Sequence, residues 1–213
     1  MLGGYLAWVI QWIGALPMTL NSSFGPVGSL FQRPFLFLRH GESTTNRAGV
    51  IAGWRDPELT DLGCEQARRA AEILKDLPLT AIFSSPLQRA WDTAAPIAKV
   101  LDMPVHAVDG LKERNWGALE GRPLAERPHM YIDPEGGETW DDFGTRVWTT
   151  LEGLEPYPGL PLIVAHSGVM RVIRHRLGLS ARAERVANGV PIRLEPPDRS
   201  GTHWTETPYA QRR

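Results

Sequence analysis

The sequence predicts an α/β protein in which helices cover both faces of a mostly parallel central sheet, a three-layer α/β/α sandwich. Short apolar runs of strand length alternate along the chain with longer segments that carry apolar residues at helical spacing. Several of these runs end abruptly in polar residues, as buried strands do where they leave a sheet. A chain of 213 residues is long enough to bury one core, and the sequence contains no internal repeat.

Local signals give the order of the elements in the first half of the chain. A strand is predicted at residues 35–38, where the apolar run is too short for a helix. Thr60 is a good N-cap for a helix over residues 61–77, which a proline ends. A second strand at residues 80–83 precedes a helix over residues 86–101, which has proline in its first turn.

The second half continues the alternation of strands and helices. A short strand is predicted at residues 105–108, and residues 109–137 form a loop rich in glycine and proline. Thr139 caps a helix that reaches about residue 154. The last predicted elements are a buried strand at 160–165, a helix at 169–177 and a late hairpin from segments 190–194 and 202–205.

The composition excludes several classes of function. The net charge is −1, from 23 basic and 24 acidic residues, which gives no general attraction to nucleic acid or to an anionic membrane. Any anion-binding patch must therefore be local. The single cysteine, Cys64, excludes an internal disulfide and a cysteine-based metal centre. We expect a cytoplasmic protein that does not bind nucleic acid.

The amino-terminal residues 1–32 are predicted to be a partly apolar extension that precedes one folded domain, residues 33–213. Residues 1–20 carry no charge, lack the basic residue of a signal peptide and are interrupted by glycine and proline. Three interpretations stay open: a packed or disordered extension, a weak membrane anchor, or translation that begins at Met18. We favour a non-catalytic extension over membrane contact through residues 1–20.

Charged side chains follow the predicted strands where each strand ends. Arg39 and His40 come directly after the first strand, and His166 follows the strongest buried strand. Arg89 lies in the first turn of the helix after the second strand, and Glu113 follows the next strand along the chain. The carboxyl ends of parallel strands meet at one edge of a sheet, so we expect one pocket. Its groups would supply a nucleophile, cations for phosphoryl oxygens and an acid, which predicts phosphoryl transfer through histidine.

Several motifs occur in order between residues 34 and 178. They are Arg39-His40-Gly41-Glu42, Leu59-Thr60-Xaa-Xaa-Gly63-Xaa-Xaa-Gln66-Ala67, Ser84-Ser85-Pro86-Leu87-Xaa-Arg89-Ala90, Glu113-Xaa-Xaa-Trp116-Gly117, Gly136-Gly137-Glu138-Thr139 and Val164-Ala165-His166-Ser167-Gly168. Each motif alone is a weak signal, but the ordered set resembles the histidine phosphatase superfamily. That superfamily includes the cofactor-dependent phosphoglycerate mutases, and the resemblance here is to its phosphatase branch. The resemblance implies a phosphoglycerate mutase-like fold for residues 33–213. One departure is Ser167, where the family often has glycine, and we expect the small hydroxyl to be tolerated.

The resemblance implies a role for each site residue. His40 is the nucleophile that forms a phosphohistidine, and Glu113 is the general acid and base. The phosphoryl group is expected to be bound by Arg39, Asn46, Arg89 and His166. We expect His40 to be neutral and His166 to act as a cationic donor. No metal or other cofactor is expected, because the arginines and His166 neutralise the phosphoryl charge that magnesium neutralises in other phosphoryl-transfer enzymes.

Three activities remain open at this point: a phosphatase, a mutase, and a pseudo-enzyme that binds a phosphorylated ligand. We favour a phosphatase acting on a small phosphorylated metabolite, because only about twenty residues separate Gly117 from Gly136. The family's mutases have a longer basic insertion there, which closes over the substrate and excludes water. No expected catalytic residue is missing, which disfavours a pseudo-enzyme.

Structural interpretations compete for some of these residues. A surface ion pair with Lys112 or Arg114 would also explain Glu113. Arg127 is as well interpreted as an ordinary surface residue, and Arg171 as a residue on the face of a helix. The oligomeric state is not predicted.

Overall fold

The computed structural model describes residues 30–154, 159–179, 185–198 and 201–209. Within these ranges the predicted three-layer α/β/α sandwich is confirmed. Its regular elements are β1 (Phe35–Arg39), α1 (Thr44–Arg47), α2 (Asp61–Leu74), β2 (Leu79–Ser84), α3 (Gln88–Leu101), β3 (Val105–Ala107), α4 (Trp140–Glu152), β4 (Leu160–Ala165), α5 (Ser167–Arg176), β5 (Pro191–Glu195) and β6 (Thr205–Pro208). Short 3-10 helices lie at Leu30–Gln32, Asp109–Leu111, Gly117–Leu119 and Leu124–Glu126.

The six strands form one sheet in the order β3-β2-β4-β1-β5-β6. The four strands from β3 to β1 run parallel to one another. β5 and β6 add two antiparallel strands at the far edge, and they pair with each other as the predicted hairpin requires. The sheet is therefore mostly parallel, with an antiparallel edge.

The two faces of the sheet bury separate cores. In β1, Phe35 and Phe37 face the core under α4 and α5, whereas Leu36 and Leu38 face the core under α2 and α3. The continuous apolar run of β1 follows from this double burial, because a strand covered on both faces needs no polar alternation. Helices α2 and α3 approach the sheet closely because alanine occupies several of their inward positions: Ala70, Ala71, Ala90 and Ala94.

The register of the central strands brings the two predicted histidines together. β1 and β4 pair Arg39 with Ala165, and His40 N donates to Ala165 O at 3.0 Å. The next residues, His40 and His166, therefore leave the sheet side by side. On the other flank of β4, Ser85 N donates to Val164 O at 2.9 Å, which places Ser85 in the same row.

Two glycines hold the turn after β1 against the first turn of α2. A Cβ atom on Gly41 would overlap Gly63 O, and one on Gly63 would overlap Glu42 O. Thr60 caps α2 by accepting a hydrogen bond from Gly63 N at 3.0 Å, and its hydroxyl donates to the Glu42 carboxylate at 2.8 Å. The loop that carries His40 is thus in direct backbone contact with the start of a helix.

The observed boundaries differ from the predicted ones by a few residues. α2 ends at Leu74 rather than at residue 77, because Leu77 N bonds to Leu74 O in a turn. α5 begins at Ser167, two residues before the predicted start, because His166 is its N-cap. The segment 109–137 is a loop as predicted, but it contains three of the short 3-10 helices.

The carboxyl end of the predicted extension packs on the domain. Leu30 belongs to the core under α4, and the Phe31 ring stacks on Trp148 with 4.1 Å between centroids. Residues 1–29, which include the apolar segment 1–20, lie outside the described residues, so the rest of that division stays a prediction. In the described part of the chain, no helix combines the length and apolar character needed to cross a membrane.

Candidate active site

The structure brings five of the six predicted site residues to one cleft at the carboxyl ends of β1 and β4. This main cleft contains about 410 Å³ of open space. The five residues are Arg39, His40, Asn46, Arg89 and Glu113. The sixth, His166, is fully buried and lies beside His40, with 5.1 Å between the ring centroids and 58° between the ring planes. The predicted convergence of two imidazole rings is confirmed.

The hydrogen bonds of His40 determine which ring nitrogen is free. Its Nδ1 lies 2.7 Å from Gly41 O, and a carbonyl oxygen can only accept. Nδ1 therefore carries the proton, and the lone pair of the neutral ring is on Nε2. The side chain is 4% exposed, so this nitrogen is held at the cleft wall rather than in bulk water.

His166 is oriented by Ser85, a residue to which the sequence assigned no role. His166 Nε2 lies 2.8 Å from Ser85 Oγ. Leu87 N already donates to that hydroxyl at 3.3 Å, so the hydroxyl proton is available for Nε2. When that hydroxyl donates to Nε2, the proton of the neutral His166 ring lies on Nδ1.

The two predicted arginines are buried and anchored by backbone carbonyls. Arg39 donates to Val186 O at 2.8 Å, and Arg89 donates to Gly53 O and Arg55 O, both at 2.8 Å. Arg89 is only 1% exposed, although Asp56 lies 3.6 Å from its guanidinium. Carbonyl anchors hold the guanidinium groups in place and leave most of their positive charge for another anion.

Buried donors without a protein partner cluster at this point. Among the described residues they include Arg39 Nε, Arg89 Nε and His166 Nδ1. Leaving a buried donor unsatisfied costs about 1–3 kcal/mol each, and more for a charged group. Three such donors around two converging imidazoles form a set suited to the oxygens of a tetrahedral oxyanion.

Asn46 is positioned by a capping box at the start of α1. Its Oδ1 accepts from Ser43 N at 3.3 Å, from Arg39 at 3.4 Å and from Asn188 Nδ2 at 3.1 Å. The same amide of Asn188 donates to His40 O at 2.7 Å. Sequence patterns do not reveal Asn188, because it lies far along the chain in a segment without regular structure.

Glu113 is held by backbone amides and not by a surface ion pair. One carboxylate oxygen accepts from Arg114 N at 2.9 Å, and the other accepts from Gly168 N at 3.1 Å. Lys112 and Arg114 pair with other carboxylates. The ion-pair interpretation is therefore wrong, because the chain turns the Glu113 side chain inward to the first turn of α5.

Ser167, where the family often has glycine, lies at a position that can accommodate a small side chain. A Cβ atom on Gly168 would overlap a carboxylate oxygen of Glu113, so the close approach of that carboxylate needs glycine at position 168. Ser167 instead lines the main cleft, where a small hydroxyl has room. The glycine that the contact requires is the one that this chain retains.

The loop that carries Glu113 is fixed from outside the cleft. Trp54 Nε1 donates to Glu113 O at 2.8 Å, and Arg146 donates to the same carbonyl at 3.3 Å. Arg146 also forms an ion pair with Glu138, at 2.7 Å. Trp54 thus holds the Glu113 loop from outside the main cleft, whereas Trp116 lines the cleft itself.

Two cationic residues of the main cleft were not predicted as site residues. Arg127 lies over the Trp116 ring, 5.8 Å from its centroid, and Arg185 lines the cleft beyond Arg39. Both residues are in irregular segments, where no periodicity or cap signals their direction. Among the described residues, no group of three or more metal-ligating side chains is placed to bind an ion.

Burial and positive neighbours shift the ionisation of the site. The pKa of Arg39 falls to about 10, mainly through burial and then through Arg185. Burial and Arg89 lower the pKa of both His40 and His166 well below the ordinary value of 6.5. Burial, and after it Arg89, therefore oppose the expected cationic form of His166 by lowering its pKa. A bound phosphate dianion is the kind of group that favours the charged ring.

We expect stability to fall as the pH drops below about 6.5, the pKa of an unperturbed histidine. Unfolded chains then bind protons at His40 and His166 that the folded protein does not bind. Each such group contributes up to about 1.4 kcal/mol of lost unfolding free energy per pH unit. Urea unfolding at pH 7.5, 6.5 and 5.5 measures this slope. In His166→Gln the slope should be smaller, and an unchanged slope would contradict the burial of a neutral ring.

The geometry defines a class of protein: an α/β-sandwich enzyme with a histidine- and arginine-lined oxyanion site at the carboxyl edge of its sheet. The family model of the histidine phosphatase superfamily (branch 1) matches residues 35–189. The chain therefore belongs to the histidine phosphatase superfamily, and it is an enzyme of the histidine phosphatase type.

Named relatives include both hydrolases and mutases. A metal-independent phosphoserine phosphatase of Arabidopsis thaliana is 36% identical over 171 residues, covering 72% of each chain. A 2,3-bisphosphoglycerate-dependent phosphoglycerate mutase of Bartonella henselae is 32% identical over 187 residues, covering 76% of this chain and 91% of the mutase. Sequence similarity therefore shows the family without choosing between the two reactions.

Solved structures share the fold over most of the chain. A mycobacterial glucosyl-3-phosphoglycerate phosphatase, solved with VO3, superposes with a TM-score of 0.68 at 26% identity. The match covers 82% of this chain and 97% of that one.

Proposed function

We propose that this protein is a phosphatase that hydrolyses a small phosphomonoester through a phosphohistidine on His40. The observation that carries the proposal is the free Nε2 of His40 at the wall of a cleft that also contains Arg39, Arg89 and Glu113. A neutral imidazole is a competent nucleophile, and burial with Arg89 keeps the pKa of His40 low enough for that form at neutral pH.

In the first step, His40 Nε2 attacks the phosphorus atom and the bond from phosphorus to the ester oxygen breaks. Arg39, Arg89 and the Nδ1 proton of His166 neutralise charge on the phosphoryl oxygens. Glu113 delivers a proton to the departing alcohol oxygen. Each Glu113 oxygen accepts one backbone hydrogen bond and has a second lone-pair direction available for this proton.

In the second step, water attacks the phosphohistidine and the bond from nitrogen to phosphorus breaks. Glu113 takes the proton from the attacking water, which restores its starting state. Inorganic phosphate leaves, and His40 regains its lone pair. In this scheme Asn46 donates through its amide to a phosphoryl oxygen, because its Oδ1 is already occupied by three donors.

Hydrolysis is favoured over transfer by the short segment that covers the cleft. Residues 117–137 close on themselves, because Ala118 N bonds to Glu135 O at 2.9 Å and Gly117 lies against Gly136 and Gly137. From this segment only Leu124 and Arg127 line the main cleft. A cover of this size leaves the phosphohistidine accessible to water. Relatives named as phosphatases show that hydrolases occur in this family.

The test is the fate of 3-phosphoglycerate with the purified full chain, followed by ³¹P NMR. We expect inorganic phosphate to appear faster than 2-phosphoglycerate, and we expect the rate to persist in EDTA. A panel of phosphorylated metabolites then ranks substrates by phosphate release. In water enriched with ¹⁸O, one labelled oxygen should enter each phosphate.

Each alternative has its own signature in this assay. Faster formation of 2-phosphoglycerate would establish the mutase instead. Binding of phosphorylated ligands without release of phosphate, together with no trapped phosphoenzyme, would establish a pseudo-enzyme. A trapped phosphoenzyme that is labile in acid and stable in base supports the phosphohistidine.

A further inference from the structure

A second recess, the side cleft, opens from the main cleft beside Glu113. Four residues line both recesses, so the two are continuous: Glu113, Trp116, Arg127 and Ser167. The side cleft contains about 320 Å³ of open space, and Arg171 of α5 lines it. Apart from the shared four, the side cleft includes Arg114 and Gly168, whose backbone N–H groups hold Glu113.

Three arginines around this junction form no ion pair with any described residue. Arg127 lines both recesses, Arg171 lines the side cleft, and Arg185 lines the main cleft. Burial lowers the pKa of Arg127, and Arg185 and Arg171 lower it further, so both arginines lie within electrostatic range of Arg127. Like charges gathered around the single carboxylate of Glu113 are unfavourable unless a further anion joins them.

The charge in the clefts exceeds what one phosphoryl group needs. Four arginines line the main cleft, against the single carboxylate of Glu113, and Arg171 adds another cation in the side cleft. A phosphomonoester carries about −1.5 to −2 charges at neutral pH, which Arg39 and Arg89 balance. Arg127, Arg171 and Arg185 then face only the Glu113 carboxylate, so a net positive charge remains at the junction.

We propose that Arg127, Arg171 and Arg185 form a subsite for a second anionic group of the substrate. The substrate class is then a small phosphomonoester that carries a carboxylate or a second phosphoryl group a few bonds from the ester oxygen. The phosphoryl group occupies the His40 end, and the second anion lies at the junction of the two clefts. This inference rests on the proposed function, because it describes the leaving half of the same substrate.

The test compares substrates that differ only in the second anion. For the carboxylate, 3-phosphoglycerate is paired with glycerol 3-phosphate, and O-phosphoserine with phosphoethanolamine. For the second phosphoryl group, fructose 1,6-bisphosphate is paired with fructose 6-phosphate. We expect kcat/KM to favour the doubly anionic member of at least one kind of pair by about tenfold or more, as a charge-assisted hydrogen bond allows. The favoured kind identifies the anion.

Variants locate the preference at the proposed subsite. Arg127→Gln and Arg171→Gln should each lower kcat/KM for the doubly anionic substrate by about 10- to 100-fold. The loss on its singly anionic partner should be at least about fivefold smaller, by the same reasoning. Arg127→Lys should recover part of the preference. Arg122→Gln is the matched control, since Arg122 lies on the same loop, is 60% exposed and pairs with Glu126. The control should leave both rates unchanged.

The outcomes separate this inference from the proposed function. Equal kcat/KM within every pair would overturn the subsite, even if the enzyme hydrolyses para-nitrophenyl phosphate. A preference that survives both Arg127→Gln and Arg171→Gln would overturn its location. If the parent enzyme releases phosphate from none of these substrates or from para-nitrophenyl phosphate, the proposed function is refuted instead. Thermal unfolding of each variant checks the fold, and two variants on different elements guard against a single folding defect.

Discussion

Replacement of His40 by alanine is expected to reduce phosphate release by about 10⁴-fold or more, as for the removal of a catalytic nucleophile. Without the imidazole, the cleft loses its proposed nucleophile, and water must attack the ester directly. The arginines that bind the phosphoryl group are retained, so the variant should still bind phosphate. Steady-state hydrolysis of para-nitrophenyl phosphate measures the loss, and acid- and base-quenched samples report whether a phosphoenzyme forms.

Two further variants make the His40 experiment specific. His40→Gln can keep a donor toward Gly41 O and therefore fills the buried position better than alanine does. It should be as inactive as His40→Ala while unfolding closer to the parent temperature. His203→Ala removes an exposed histidine far along the chain and should behave like the parent. Parent-like turnover in both His40 variants would exclude the phosphohistidine mechanism.

Glu113→Gln is expected to separate substrates by their leaving groups. For an alkyl phosphate such as glycerol 3-phosphate, loss of the proton donor should cost about 10²- to 10⁴-fold in the first chemical step. For para-nitrophenyl phosphate the loss of that step should be much smaller, because nitrophenolate leaves without a proton. A plot of log(kcat/KM) against leaving-group pKa should become steeper in the variant.

The control for this experiment is Glu126→Gln, a nearby exposed carboxylate that pairs with Arg122. Glutamine at position 113 turns an amide donor toward one of the two backbone N–H groups that the carboxylate satisfies. A modest loss of thermal stability is therefore expected and should affect all substrates alike. Equal losses on alkyl and nitrophenyl esters would remove Glu113 from the role of general acid.

Residue patterns predicted the sheet well because its strands are buried on both faces. Uninterrupted apolar runs such as residues 35–38 and 160–165 can satisfy two cores at once, and few other structures explain them at that length. The location of side chains that directly follow the strands can then be predicted from the parallel topology. His40 and His166 could be expected together because parallel neighbours end at the same edge.

The rest of the site depends on contacts between segments that are distant in sequence. Arg127, Arg185 and Asn188 reach the cleft from irregular segments, whose direction is set by tertiary hydrogen bonds rather than by periodicity. The role of Ser85 likewise depends on the alignment of β2 with β4. The lowering of the pKa of both rings by burial and Arg89 is likewise an effect that only the packed structure contains.

The contact between Gly41 and Gly63 makes the floor of the active site intolerant of substitution, whereas the rim of the cleft can vary. Any larger residue at either position would displace the His40 backbone, so the floor of the site tolerates almost no exchange. The rim, where Trp116, Leu124 and Arg127 lie, is made of loop side chains with no such constraint. New substrate ranges can therefore evolve, or be engineered, by exchanging rim residues while the chemistry below stays constant.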